Sequence, residues 1–176
     1  MDGIFLTHYC HKDLEPFRSI SSYSEKTDEI VNRLSQLEGK AYNRFRNYEW
    51  YASQRKETEQ WLYHGFIEGG GIPKITNPFY FVLGNSEYIQ SCYGEDVKLY
   101  HIRLEEVCEK EISFTLSDSM YIHVSGEEKK VLTKKDLYEY IENQGITLLD
   151  YVIRLDKDHK YIEAQIWSNN CLANLI

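Results

Sequence analysis

A carboxylate and an amide two residues apart on a strand carry the chemistry this sequence offers most directly. In Tyr161-Ile162-Glu163-Ala164-Gln165-Ile166-Trp167, small and apolar residues alternate with Tyr161, Glu163, Gln165 and Trp167. Successive side chains of a strand point to opposite faces, so Glu163 and Gln165 project together from an aromatic-flanked surface. That surface is either a solvated polar face or a cleft floor, where a fixed carboxylate does electrostatic or acid–base work. His8, which follows the apolar run Ile4-Phe5-Leu6 and precedes Tyr9 and Cys10, is a second group. A histidine titrates near neutrality, but it also serves as a structural hydrogen-bonding residue. No set of His, Cys, Asp and Glu has the spacing of metal ligands, so no metal is expected.

The elements that must position these groups centre on Phe79 to Leu104. Five apolar residues from Phe79 to Leu83 predict a strand buried on both faces; Asn85 or Ser86 is placed to cap a short helix, and Gly94 to end it. Val97, Leu99, His101 and Arg103 then alternate as a second strand. Before this unit, Ile4 opens a strand that runs to Cys10, and Asp13, Leu14, Phe17 and Ile20 suggest a helical turn. Ser22 and Glu25 have the form of a capping box ahead of Ile30, Leu34 and Leu37. From Ala41 to Ile67 the pattern is helical and crowded with arginines and aromatics, which form either a solvated helix pair or a wall over a phosphate- or base-bearing ligand. Gly69-Gly70-Gly71 lacks the lysine and hydroxyl of a P-loop and reads as a flexible loop that could hinge a lid. After the central unit, Ile112–Leu116 and Met120–Val124 read as strands, and Thr133 with Asp136 as a helix start. Tyr151–Leu155 and Tyr161–Trp167 read as a hairpin, and Leu172 to Ile176 as a final segment.

Together these elements predict a single α+β domain over residues 1–176, with helices mainly in the N-terminal half. The 176 residues, 42% of them hydrophobic, suffice for one core. A net charge of -8 argues against tight, sequence-blind nucleic-acid binding, which draws its affinity from many Lys/Arg–phosphate contacts. Cys10, Cys92, Cys108 and Cys171 are far apart and include no C-x-x-C pair, so reduced thiols are expected. With neither a secretory leader pattern nor a run of eighteen apolar residues, the expected location is cytoplasmic, without membrane partners.

Taken in order, the segments LTHYC, FYFVLGNSEYIQSCYG and YIEAQIW make the chain resemble the ADP-ribosyltransferase superfamily of the H-Y-E type. The resemblance implies a split β-sheet core and NAD as substrate, with His8 and Tyr9 near the nicotinamide-side ribose. It implies Tyr80 as an aromatic shelf for nicotinamide, Ser86 at the start of the helix beneath it, and Glu163 holding the ribose 2′-hydroxyl. Gln165 would either contact the acceptor or be a bystander; the acceptor is a macromolecule, protein slightly favoured over nucleic acid, as in a toxin, an effector or a phage–host conflict protein. Tyr161 stands where arginine-modifying members carry Glu or Gln, so an arginine acceptor is not implied.

Two other readings are open. His8-Tyr9-Cys10 and His123-Val124-Ser125 resemble the paired H-x-S/T signatures of two-histidine phosphoesterases, in which one imidazole serves as base and the other as acid on a cyclic phosphodiester. Alternatively the fold is a non-catalytic binding or inhibitor protein that presents its arginine-rich helices to a partner.

Overall fold

The computed structural model describes residues 4–18, 20–22 and 27–172. Five strands, β1 (Phe5–His11), β2 (Phe79–Leu83), β3 (Val97–Arg103), β4 (Ile112–Thr115) and β5 (Glu163–Ile166), form one sheet in the order β3-β1-β2-β5-β4. Every neighbouring pair is antiparallel. One face carries Leu6, Phe81, Leu83, Ile102, Ile112, Phe114, Ala164 and Ile166. These pack on Leu137 and Ile141 of α5 (Lys134–Glu142) and Leu148 and Val152 of α6 (Leu148–Lys157), forming the main core.

The alternating residues make the other face polar. By register, Thr7, Tyr9, Tyr80, Val82, Ser113, Thr115, Glu163 and Gln165 all point to it. It is covered rather than solvated: Leu62 and Phe66 of α2 (Tyr48–Glu68) pack on Trp167. Alongside, α1 (Thr27–Ser35) and the 3-10 segment Lys40–Asn47 build a second cluster from Val31, Leu34, Tyr42 and Phe45.

The sheet has a seam. β1 pairs with β3 along its whole length, from Phe5↔Arg103 to His11↔Val97, whereas its register with β2 consists of Thr7↔Val82 among the described residues. Just past β2 the Gly84 N–H donates to the Phe5 carbonyl at 2.6 Å, and side chains add to this join. The His8 Nδ1–H donates to the Tyr80 carbonyl at 2.8 Å, and the Ser86 N–H donates to the Tyr9 hydroxyl at 2.8 Å.

The central unit folds as its sequence predicts. Ser86 Oγ accepts from the Ile89 N–H at 3.3 Å, starting α3 (Glu87–Tyr93), which ends at Gly94 with φ 74°. The capping box of Thr133 and Asp136 starts α5. Residues 41–67 are helical. The glycine triplet closes down rather than opening a lid: Gly71 donates to the Phe66 carbonyl at 2.8 Å, and a Cβ there would lie 2.4 Å from the Phe66 ring.

Several expectations need correction. Met120–Val124 is not a strand but part of α4 (Ser119–Ser125), because Asp118 caps it by accepting from the Tyr121 N–H at 2.8 Å. Tyr151–Leu155 lies within α6, started by Thr147, so the expected hairpin is helix, turn and strand. Burial there follows a helical period, with Leu148 and Val152 inside while Leu149 and Ile153 face solvent. With α4, α5 and α6 in the C-terminal half, helices are not concentrated in the N-terminal half. Asp13 to Phe17 forms turns, not a helix, and Phe17 takes φ 56°. Glu25 of the expected capping box and residues 173–176 of the final segment lie outside the described residues.

Candidate functional site

Where the polar face meets the helical layer, a cleft of ≈ 370 Å³ opens. Tyr80 and Glu163 border it from the sheet, Tyr51 and Arg55 from α2, Asp118 and Tyr161 from the loops, and Arg44, Phe45, Tyr42 and Tyr93 towards its far end.

Glu163 is the most perturbed acid of this wall. Its side chain is 6% exposed. Loss of solvent, then the neighbouring Asp118 carboxylate, pushes its pKa up to about 7, while Arg55 and the hydrogen bonds from Ser119 and Gln165 act the other way. Oε1 accepts from Gln165 Nε2 at 2.9 Å and from the Ser119 N–H at 3.4 Å.

Behind Glu163 runs a buried chain of hydrogen bonds. The Trp167 indole N–H donates to Ser113 Oγ at 2.8 Å, Ser113 donates to Gln165 Oε1 at 2.8 Å, and the Gln165 amide donates to Glu163 and to Thr115 Oγ1 at 3.2 Å. Each link leaves the next one single orientation, so the Glu163 carboxylate is held by a rigid support. Gln165 is fully buried with both ends of its amide engaged. It therefore does not reach into the cleft, and its expected contact with an acceptor is replaced by a positioning role.

Tyr80 sits beside Glu163, since β2 and β5 pair Tyr80 with Gln165 and Val82 with Glu163. Its ring carries the Arg55 guanidinium at 3.8 Å from the centroid, and its hydroxyl lies 3.5 Å from Glu59 Oε1. Arg55 is 11% exposed; it approaches Glu59, one helical turn on, at 3.7 Å. Asp118 Oδ2 accepts from the Tyr161 hydroxyl at 2.7 Å.

His8 requires a correction. Its position borders the cleft, but its ring points to the opposite face of the sheet, packed with Phe17, Phe81 and Tyr100. Both ring nitrogens are committed, Nδ1 to the Tyr80 carbonyl and Nε2 as acceptor from the Phe17 N–H at 3.2 Å. Burial lowers its pKa, which keeps this neutral tautomer. Tyr9 and Ser86, expected beside a cofactor, hydrogen-bond each other. His123 lies on α4, where Nε2 pairs with Glu57 of α2 at 3.2 Å. The helical layer of α2 and α4 covers the polar face, so the two histidines lie on opposite sides of the sheet and share no site.

Sequence reasoning missed Asp118 and Arg55. Asp118 lies between two stretches that read as strands, and Arg55 is one of several arginines on a helix. Its one distinguishing signal was Glu59 four residues on. Among the described residues no group of three His, Cys, Asp or Glu side chains could hold a metal, and no helix is long and apolar enough to cross a membrane.

The fold and site thus define an α+β protein with a tyrosine- and arginine-walled cleft bordered by the buried carboxylate of Glu163. No protein-family model matches the chain, and no curated protein or solved structure matches it.

Proposed function

We propose that this protein transfers ADP-ribose from NAD to a macromolecular acceptor and releases nicotinamide. The observation that carries this reading is that Glu163 and Tyr80, on neighbouring strands, border one cleft. The α+β architecture, with helices packed on an antiparallel sheet, is compatible with this reading, although the five strands form one sheet and not a split one.

Breaking the bond between ribose C1′ and the nicotinamide nitrogen sends the bonding electrons to nicotinamide and leaves oxocarbenium charge on the ribose. A carboxylate held beside that carbon in a water-poor cleft stabilises the charge far more than water does. Glu163 takes this role and accepts the ribose 2′-hydroxyl, with Gln165 and the Ser119 N–H fixing its Oε1. The bound nicotinamide is itself cationic and favours the ionised form of Glu163, offsetting the burial that raises its pKa. Tyr80 provides the aromatic surface. His8 has no step here; it splices β1 to β2. The acceptor's nucleophile then bonds to C1′ and loses its proton. The net charge of -8 favours a protein acceptor over nucleic acid.

Incubation of the purified protein with NAD labelled in the adenylate, with and without cell lysate, tests the proposal. Label on a macromolecule together with free nicotinamide is the expected result. The absence of both label transfer and nicotinamide release would overturn it.

A further inference from the structure

Arg55 stands on the ring face that a ligand would use. Its guanidinium lies 3.8 Å from the Tyr80 centroid in the cleft that Glu163 borders. Yet it is loosely held for a buried arginine. Nε makes no hydrogen bond, and its contact with Glu59 is an ion pair at 3.7 Å, too long for a hydrogen bond. Buried donors without partners carry a free-energy cost, so this side chain has a second position or a second partner to gain.

We propose that Arg55 is the resident occupant of a planar-cation slot over the Tyr80 ring, in the cleft that Glu163 borders, and that it must leave before a ligand's cationic ring can stack there. A guanidinium and a pyridinium-type ring are both flat, singly charged and weakly hydrated, so one aromatic face flanked by carboxylates accepts either. It does not accept both, because two like charges at stacking distance repel. Arg55 therefore sets a threshold: a neutral ring does not displace it, and a cationic ring does so only when other contacts hold the ligand in the cleft. This rests on the transferase reading only for the identity of the incoming ring; the occupancy itself is a property of the cleft's own residues.

The test uses two non-reacting probes, the N-methylnicotinamide cation and neutral nicotinamide, titrated against wild type, Arg55→Met and Arg55→Lys with protein fluorescence as the signal. The titration is run at a pH of about 8, where Glu163 is ionised. In Arg55→Met the cation binds about tenfold more tightly than in wild type, and neutral nicotinamide, which gains the freed ring face but no relief from charge repulsion, binds more tightly by no more than about threefold. Arg55→Lys, whose ammonium lacks the planar face, gives a smaller gain in the same direction, and it carries the test if near-UV circular dichroism shows that Arg55→Met does not fold. Equal or weaker cation binding in the variants overturns the proposal, as does an equal gain for both probes. Failure of wild type to consume NAD would count against the transferase and leave this result standing.

Discussion

Replacing Glu163 by Gln keeps the shape of the side chain and removes its charge, so it separates what the carboxylate costs the fold from what it does. Burial and Asp118 raise the pKa from an ordinary 4.5 to about 7, and the side chain is 6% exposed, so solvent screens the effect little. A raised acid pKa means that the folded state holds its proton more tightly than the unfolded chain. Stability is then full below about pH 4.5 and falls as the pH rises to about 7, by about 3 kcal/mol in all. Glutamine does not titrate, and its carbonyl oxygen can still accept from Gln165 and Ser119. Urea unfolding of both proteins at a pH of about 5 and about 8 therefore shows the variant gaining about 2.5 kcal/mol on wild type between the two. The same variant loses nicotinamide release by a factor of about 10²–10³ or more. A variant that gains nothing between the two conditions, or that is less stable than wild type at the higher one, would refute the claim that a desolvated carboxylate sits here.

Three further substitutions test the support around the site. His8→Ala removes the partner of the Tyr80 carbonyl and the Phe17 N–H and empties a ring-lined space; it lowers stability by about 2–4 kcal/mol in urea unfolding, whereas lost activity at unchanged stability would return His8 to the chemistry. Ser113→Ala leaves the Trp167 indole N–H and Gln165 Oε1 without a partner. Its cost is about 1–3 kcal/mol, and nicotinamide release falls with it as the hold on Glu163 loosens. Gly84→Ala adds a Cβ 2.6 Å from Val152 Cγ1 at a backbone φ of 75°, and thermal unfolding will show a loss of about 2 kcal/mol.

The parts of the fold that could be read from sequence were those whose signals are local. The apolar run of β2, the Ser86 cap and Gly94 lie within one short stretch, and each names its own role. The alternation around Glu163 likewise put it on the face opposite Ala164 and Ile166, where it is. The misreadings came from composition outweighing caps. Tyr151, Val152 and Ile153 have strand-forming side chains, yet Thr147 and Asp150 start a helix through them, and Asp118 does the same for residues 119–125. What the sequence could not supply was register. Whether His8 shares a face with Glu163 depends on how β1 meets β2, and a shift of one residue would reverse it. Arg55 and Asp118 enter the site only because α2 and the loop before α4 converge on β5 across long stretches of chain.

The most direct test of the central claim is nicotinamide release from NAD by wild type and Glu163→Gln, followed across the pH range from about 6 to about 9. The expected result is that kcat/KM of the wild type rises with pH through about 7 and levels off, as Glu163 of the free protein ionises, while the variant stays near background throughout. Release by the variant at the wild-type rate, or a wild-type profile that falls as Glu163 ionises, would contradict it.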